Sequence, residues 1–334
     1  MGRTKAVVLK SVREPLSVET LELEGPQEDE VAIKMVASGV CHSDYSVYNG
    51  TISFKTPEVL GHEGAGIVDK VGSAVTTVTP GDHVVLSYIP QCGKCFFCTV
   101  GQPNLCEISS FTREGTLPNG HRPIVREGSP IPQMTGLGTM SEYSVVHETS
   151  VVPIDPSIPL DKAALVGCGV MTGVGAAINT AKVEPASSVA VFGAGGIGLN
   201  VIQGSAIAGA NMIIAVDTNP LKFDFAKEFG ATHTVNAQDA DSVVAIQELT
   251  GGRGADYTFE AIGNTHVMRQ AFESARRGGT VAIIGIAPSE TEFRIPAVSL
   301  VRDQKQVIGS YYGSTRQRVD LPRMINLYRS GKLK

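Results

Sequence analysis

The segment SVAVFGAGGIG, residues 188–198, constrains the chain more than any other. A short apolar run leads directly into a glycine-rich turn, and Gly193, Gly195 and Gly198 then stand where a helix should begin. Alone, a GxGxxG pattern is a weak signal. A second apolar run, MIIAVD, follows and ends in Asp217, 19 residues beyond Gly198, where a carboxylate can accept hydrogen bonds from an adenosine ribose. The glycines permit a tight turn and close backbone approach, while the unpaired N–H groups of a helix N-terminus face a pyrophosphate. A carboxylate at 217 repels the extra phosphate of NADP, so NAD is the expected cofactor. The following Thr218 and Asn219 offer no arginine to such a phosphate; Lys222 is the nearby cation and is counted among the cofactor contacts.

The same alternation of apolar strands and helical stretches runs from about 172 to 312, through LKFDFAKEFGA, ADYTFEAIG, MRQAFESARR and TVAIIGIAP. Repetition of this kind predicts a parallel, doubly wound α/β sheet. Before about residue 150 the pattern is different. Short Val/Ile runs such as KAVVLK, EVAIKMVASG and DHVVLSYIP are separated by turn residues, which predicts a mostly β domain. The proline-containing VVPIDPSIPLD, 151–161, is expected as the connector. At 334 residues, two domains are the ordinary outcome.

Four of the six cysteines fall within QCGKCFFCTVGQPNLC. Cys92, Cys95, Cys98 and Cys106 have the spacing C-x2-C-x2-C-x7-C, which turns neighbouring thiolates onto one ion; four sulfurs close a tetrahedral shell, so this zinc is expected to be structural. Disulfides and free thiols fit the tight spacing less well, and an iron–sulfur cluster is a further alternative. The remaining cysteines, Cys41 in GVCHSD and Cys168 in VGCGVMTG, lie in glycine-flanked turns, with His62 of LGHEGAGIV between them in sequence. Two thiolates and one imidazole make a zinc shell with its fourth position open, the arrangement suited to catalysis. Taken singly, each has a plain reading as core packing; their joint presence beside a nucleotide-binding pattern favours the metal.

With CHSD, GHEGAG, the four-cysteine lobe, GCGVMTG, GAGGIG and the VD of the second strand in this order, the chain resembles the zinc-dependent medium-chain alcohol dehydrogenases over its whole length. The resemblance implies a GroES-like catalytic domain over 1–170 carrying the structural zinc lobe at about 91–107, a Rossmann NAD-binding domain over 171–314, and in 315–334 the start of a segment returning to the first domain. It implies two zinc ions per chain: a catalytic one on Cys41, His62 and Cys168, and a structural one on the clustered cysteines. Glu63 is then placed close behind the metal, and Asp44 orients the His62 ring. Ser43 accepts the hydroxyl proton and passes it along the ribose hydroxyls. His42 faces the pyrophosphate, and Thr172 lies near the nicotinamide ring. A homodimer or homotetramer built through the nucleotide domain, around VIGSYYG, is implied in the same way.

The chain departs from the family pattern in two places. Ser46 stands where a proton relay often ends in histidine, so the proton is expected to leave through water or by another route. Family chains also continue well past a segment like LYRSGKLK, so the sequence to Lys334 is expected to be either a fragment or a chain lacking that return segment, the latter leaving apolar surface on the first domain uncovered. The leading expectation is an NAD-linked oxidoreductase of a primary alcohol or its aldehyde, with Tyr88 lining an apolar channel. A thiol-adduct formaldehyde dehydrogenase is the nearest alternative, because the insert SSFTREGTLPNGHRPIVREGSPIPQMTGLG also occurs there, although NGTISFK lacks the acidic residues expected to hold the adduct. Cys168 argues against the polyol dehydrogenases. A non-catalytic nucleotide- and zinc-binding relative is a third reading, countered by the intact Cys41, Ser43, His62 and Cys168. The net charge of -5, with no basic stripe, argues against nucleic acid and anionic membrane as partners. With no apolar run of about 18 residues and no signal-peptide core in MGRTKAVVLKSV, a cytoplasmic location is expected.

Overall fold

The computed structural model describes residues 2–334. They form two compact units. The first comprises the residues up to Gly169 together with Arg316–Leu327; the second comprises Val170–Thr315 with Tyr328–Lys334.

The first unit holds ten strands: β1 (Gly2–Leu9), β2 (Ser17–Leu23), β3 (Glu30–Gly39), β4 (Glu58–Val59), β5 (Glu63–Val71), β6 (His83–Leu86), β7 (Ile124–Arg126), β8 (Ser129–Ile131), β9 (Tyr143–His147) and β10 (Val151–Pro153). They pair as two five-stranded sheets, β4-β1-β2-β7-β8 and β10-β6-β5-β3-β9. The short apolar runs of the sequence produce this layout: β1 and β2 alternate buried and exposed positions along part of their length, while β3, β5 and β6 carry consecutive buried residues. Ala6, Val8, Leu21 and Leu23 fill one core with Ile124 and Val145, and Val31, Ile33, Val68, Val84 and Leu86 fill another. The segment expected as a connector is part of this unit: its first three residues are β10, antiparallel to β6 through Val151↔Leu86 and Pro153↔Val84. Pro153 is tolerated because β10 is a sheet edge and needs no further partner for its missing N–H.

The longest pairing in this unit, β3 with β5, sets up the site. Its register ends with Gly39 opposite Glu63, so the chain leaving β3 reaches Cys41 beside the residues that open β5. Gly39 suits that point, since a β-carbon there would displace the Glu63 carboxylate. Cys41 then caps helix α1 (His42–Tyr48).

Helix α2, Leu160–Thr180, is long and apolar enough by length and composition to cross a membrane, against the sequence expectation of no such run. Its apolar window is 72 % buried within the protein. Two stretches of it, Val166–Val170 and Ala176–Thr180, are wound as π-helix.

The second unit is a six-stranded parallel sheet of β11 (Ser188–Phe192), β12 (Met212–Asp217), β13 (His233–Asn236), β14 (Ala255–Glu260), β15 (Ala275–Ile283) and β16 (Gln306–Gly309), in the order β13-β12-β11-β14-β15-β16. Numbered within the unit this is 3-2-1-4-5-6, the doubly wound dinucleotide-binding order. Both faces are covered, which explains the unbroken apolar strands. Val189, Val191, Ile213 and Ala215 pack on one side with Val201 and Ile202 of helix α3 (Gly196–Ala208). Ala190, Phe192, Ile214 and Val216 pack on the other with Phe272 and Ile246. The β11–α3 turn is closed by Gly198, where a β-carbon would overlap the Gly193 carbonyl oxygen. Gly198→Ala must therefore open a turn made of backbone on both sides; a loss of about 1–3 kcal/mol is expected, read as a lowered midpoint in denaturant unfolding. An unchanged midpoint would show that the turn can give way without cost.

Candidate active site

Cys41, His62, Glu63 and Cys168 each offer a ligand atom, and these atoms all lie within 4.8 Å of one another. Three local devices bring them together. Cys41 is delivered by the end of β3 at the N-terminus of α1. His62 follows Gly61, whose φ of +98° and crowding against the Met140 backbone nitrogen, 2.5 Å from where a β-carbon would sit, leave room for glycine alone. Cys168 lies in the π-wound turn Val166–Val170, where the flanking Gly167 lets the backbone approach the Leu86 carbonyl.

Asp44 holds this arrangement. Its buried carboxylate accepts the Cys41 N–H at 2.8 Å through one oxygen and lies 3.2 Å from His62 Nδ1 through the other. With Nδ1 tied to Asp44, Nε2 is the nitrogen left for a metal. Glu63 is also buried, and its Oε1 accepts the Gly169 N–H at 3.1 Å. Ser43 Oγ lies 3.7 Å from Cys41 Sγ. The Tyr88 ring stands edge-on to His62, with centroids 5.8 Å apart. His42 is exposed, its Nδ1 3.3 Å from the hydroxyl of the buried Ser46.

The charges follow from these contacts. The Cys168 thiol, and after it His62, hold the Cys41 thiol down at about 3 despite burial. Burial opposes the charge on His62, yet Asp44 and Cys41 hold its ring up at about 10. Burial and the neighbouring Cys41 charge push Glu63 up to about 7. The donor set thus already carries a thiolate, and two sulfurs with one imidazole suit zinc, whose entry displaces the remaining ligand protons.

The clustered cysteines form the second centre, with all four sulfurs again within 4.8 Å. Cys92 and Cys98 Sγ are 3.9 Å apart, and Cys95 and Cys106 Sγ 3.8 Å. A tetrahedron with zinc–sulfur bonds of about 2.3 Å has edges of roughly 3.8 Å, so the geometry fits a single ion. Disulfides are ruled out by the same distances: all six cysteines are free thiols. A cluster of several irons would spread its ligands further. The Cys92 and Cys95 N–H groups donate to Cys106 and Cys92 Sγ at 3.4 Å, which stabilises thiolate charge. Gly93 and Gly101, at φ of +78° and +82°, make the loop turns.

In the second unit, Gly195 precedes α3 with open space where a β-carbon would point, as close approach of a pyrophosphate requires. Gly193 has a φ of +96°. Asp217 closes β12; it accepts the Ala194 N–H at 2.7 Å and the Asn219 N–H at 2.9 Å, and pairs with Lys222 Nζ at 2.9 Å. Burial works against its charge, but Lys222 and these N–H groups leave its carboxyl below the usual range. Lys222 is thus committed to Asp217 rather than free for a second phosphate. The Thr172 hydroxyl is buried and has no hydrogen-bond partner in the chain, as a group awaiting a ligand would be. The catalytic set and Asp44, Ser43 and His42 therefore meet in the first unit, while Thr172, the glycines, Asp217 and Lys222 belong to the second.

Sequence reasoning missed Glu58. It is fully buried in β4, and neither carboxylate oxygen has a hydrogen-bond partner. Burial first, and then the negative Asp44, push it up to about 8. A buried acid four residues before a histidine has no sequence signature. Because the folded value lies above the unfolded one of about 4.3, the folded state binds more protons between the two, and stability falls as pH rises through that window. Glu58→Gln removes this loss. The variant is expected to be more stable than the parent by at least about 1 kcal/mol at pH 7–8, the gap closing below pH 4; an equal gap at every pH in denaturant melts would refute the assignment.

Two family descriptions match the chain: the alcohol dehydrogenase GroES-like domain over residues 27–156 and the zinc-binding dehydrogenase domain over 196–330. An alcohol dehydrogenase class-3 of Cereibacter sphaeroides is 43% identical over 342 aligned positions, covering 99% of this chain and 91% of that protein. An S-(hydroxymethyl)glutathione dehydrogenase of Synechocystis sp. is 44% identical over 336 positions, covering 99% and 90%. The crystal structure of benzyl alcohol dehydrogenase from Acinetobacter calcoaceticus superposes with a TM-score of 0.94 at 32% identity, over 100% of this chain and 91% of that one. With both centres and the nucleotide-binding sheet in place, these likenesses establish that the chain belongs to the zinc-dependent medium-chain alcohol dehydrogenase family.

Proposed function

We propose that this chain oxidises a primary alcohol, or reduces the corresponding aldehyde, using Cys41, His62 and Cys168 to hold the catalytic zinc. The observation that carries the reading is the convergence of those three ligand atoms beside a carboxylate that fixes the imidazole. Zinc held there polarises the substrate oxygen and brings its hydroxyl pKa toward neutrality. The hydride acceptor is NAD, as in the family.

Under this reading Ser43 Oγ takes the hydroxyl proton while giving up its own, a task that needs a short hydroxyl side chain next to a zinc ligand. Asp44 keeps His62 in the tautomer that presents Nε2, and Glu63, anchored on Gly169, keeps a buried carboxyl behind the ion. Tyr88 forms an apolar wall beside His62. Asp217 accepts from the adenosine ribose, with Lys222 alongside; Gly193, Gly195 and Gly198 admit the pyrophosphate, which His42 also faces, and the unpartnered Thr172 hydroxyl serves the nicotinamide end. The partner is a small-molecule substrate in the cytoplasm rather than nucleic acid or membrane. Subunits pair into a homodimer or homotetramer through β16, the edge strand of its sheet, next to the exposed Val298 and Val301.

A second reading is favoured by one finding, the 44% identity to a protein named S-(hydroxymethyl)glutathione dehydrogenase. The substrate is then a hydroxymethyl thioether formed from formaldehyde and a thiol. Initial rates with NAD on a series of primary alcohols, set against formaldehyde plus glutathione, separate the two. In either case Ser43→Ala is expected to lower kcat about 100-fold or more with zinc content unchanged; loss of zinc together with activity would count against a proton-transfer role. Asp217→Ser is expected to raise KM for NAD about tenfold, the loss of one charge-assisted contact, and to narrow the preference over NADP. An unaltered cofactor ratio would remove Asp217 from the ribose site.

A further inference from the structure

Outside the zinc and nucleotide sites, the most densely bonded set of titratable groups surrounds His121. The ring is 10% exposed and sits between two carboxylates: Nδ1 is 2.8 Å from Glu30 Oε1, and Nε2 is 2.9 Å from Glu24 Oε2. Glu30, the first residue of β3, is fully buried. Its Oε2 also accepts the Gln27 N–H at 2.9 Å, and its Oε1 accepts Asn119 Nδ2 at 2.7 Å. Asn119 returns its carbonyl to the His121 N–H at 3.0 Å, and the Leu117 N–H donates to the His121 carbonyl at 2.9 Å. The loop Leu117–His121, downstream of the last zinc-lobe cysteine, is thus fastened to the β2–β3 turn through the His121 ring and through the Asn119 amide, which donates to Glu30 and also reaches Gln27 and Asp29.

Ionised carboxylates only accept hydrogen bonds, so a ring facing one with each nitrogen needs both ring protons. Its neighbour His147 makes the contrast. That residue lies opposite Glu30 in the β3–β9 register. Its Nδ1 accepts the Thr149 N–H at 3.2 Å, and its Nε2 faces Asp29 at 2.9 Å, so one ring proton satisfies both bonds. Of two histidines in one acidic cluster, His121 alone is built as a cation.

We propose that His121 is a cationic latch that closes the loop Leu117–His121 onto the β2–β3 turn and releases it as pH rises. The groups facing it are Glu24 from the end of β2, Asp29 and Glu30 from the turn and start of β3, and His147 from β9 behind them; Arg122 follows it in sequence. Burial disfavours the charged ring, but the bonds from Glu24 and Glu30 outweigh that and hold its pKa above the ordinary histidine value. A raised folded pKa means that the stabilisation is complete below about pH 6.5 and is lost as pH climbs through the folded value. Loss of one proton leaves one carboxylate facing a bare ring nitrogen.

Hydrogen exchange of the zinc-loaded protein, followed by mass spectrometry on peptides covering 107–123 at pH 6 to 9, tests this. After correction for intrinsic exchange, the opening constant of this segment is expected to rise about tenfold over that range, the equivalent of one charge-assisted bond. His121→Gln should give a more open segment with no pH step, and His121→Lys a closed one with no step; His147→Gln should keep the step. A segment whose opening is flat with pH in the parent protein overturns the latch, as does a step that survives His121→Gln or disappears with His147→Gln. If His121→Gln does not fold, the parent, lysine and His147 arms still decide.

Discussion

The Asp44 carboxylate is the point on which the catalytic centre depends. Through one oxygen it caps α1 at Cys41, and through the other it holds His62, the residue just before β5. Two ligands from separate elements are thereby fixed by one rigid side chain three residues from the first of them. The carboxylate lies in the first turn of α1, where the free N–H groups and the helix dipole favour negative charge. That placement supports the buried carboxylate alongside the His62 ring, and the zinc ligands inherit their orientation from it. The constraint reaches outward too. Glu58, buried without partners, is pushed up toward its neutral form chiefly by that burial and further by the Asp44 charge.

The two metal centres solve opposite problems with the same ligand type. In the lobe, ligands close together in sequence collapse onto one ion, so a short loop with little hydrophobic core of its own can be held in shape. In the catalytic centre, ligands far apart in sequence depend on long β pairing to converge, and the pairing of β3 with β5 supplies it. The first arrangement spends four thiolates and leaves no vacant position. The second spends three ligands, and Glu63, the remaining carboxyl nearby, is tied to the Gly169 N–H. A tightly spaced motif thus gives a structural ion, and a dispersed one gives a reactive ion.

This difference also decides how much was legible in the sequence. Gly193, Gly195 and Gly198 are readable as a turn because glycine's part there is a backbone one fixed by local order, Asp217 because it closes the next strand, and the strand–helix alternation around them fixes the parallel sheet. The four cysteines are readable for the same reason: their spacing is their geometry. Cys41, His62 and Cys168 could be nominated, but their meeting depends on the β3–β5 register and on a π-wound turn, neither of which periodicity reveals. The start of the stretch 151–161 misled because Pro153 read as part of a connector, whereas the edge strand Val151–Pro153 accommodates it. Glu58 and His121 were invisible, since nothing in their neighbouring residues says that one is buried without a partner and the other is enclosed by acids from 97 and 91 positions away.

The histidines of the first unit show how backbone and carboxylate partners, rather than burial alone, decide what an imidazole does. His62 has one nitrogen on a carboxylate and the other left among the Cys41 and Cys168 sulfurs, so it is placed to ligate a cation. His147 meets a backbone donor at one nitrogen and a carboxylate at the other, so a single proton completes its bonding. His121 meets carboxylates at both and is complete only as a cation. The first is defined by its place among the metal ligands and the second by its matched donor and acceptor. In the third, a change of one proton removes a charge-assisted bond from a buried glutamate, and for that reason the loop after the zinc lobe is the part of this unit whose closure follows pH.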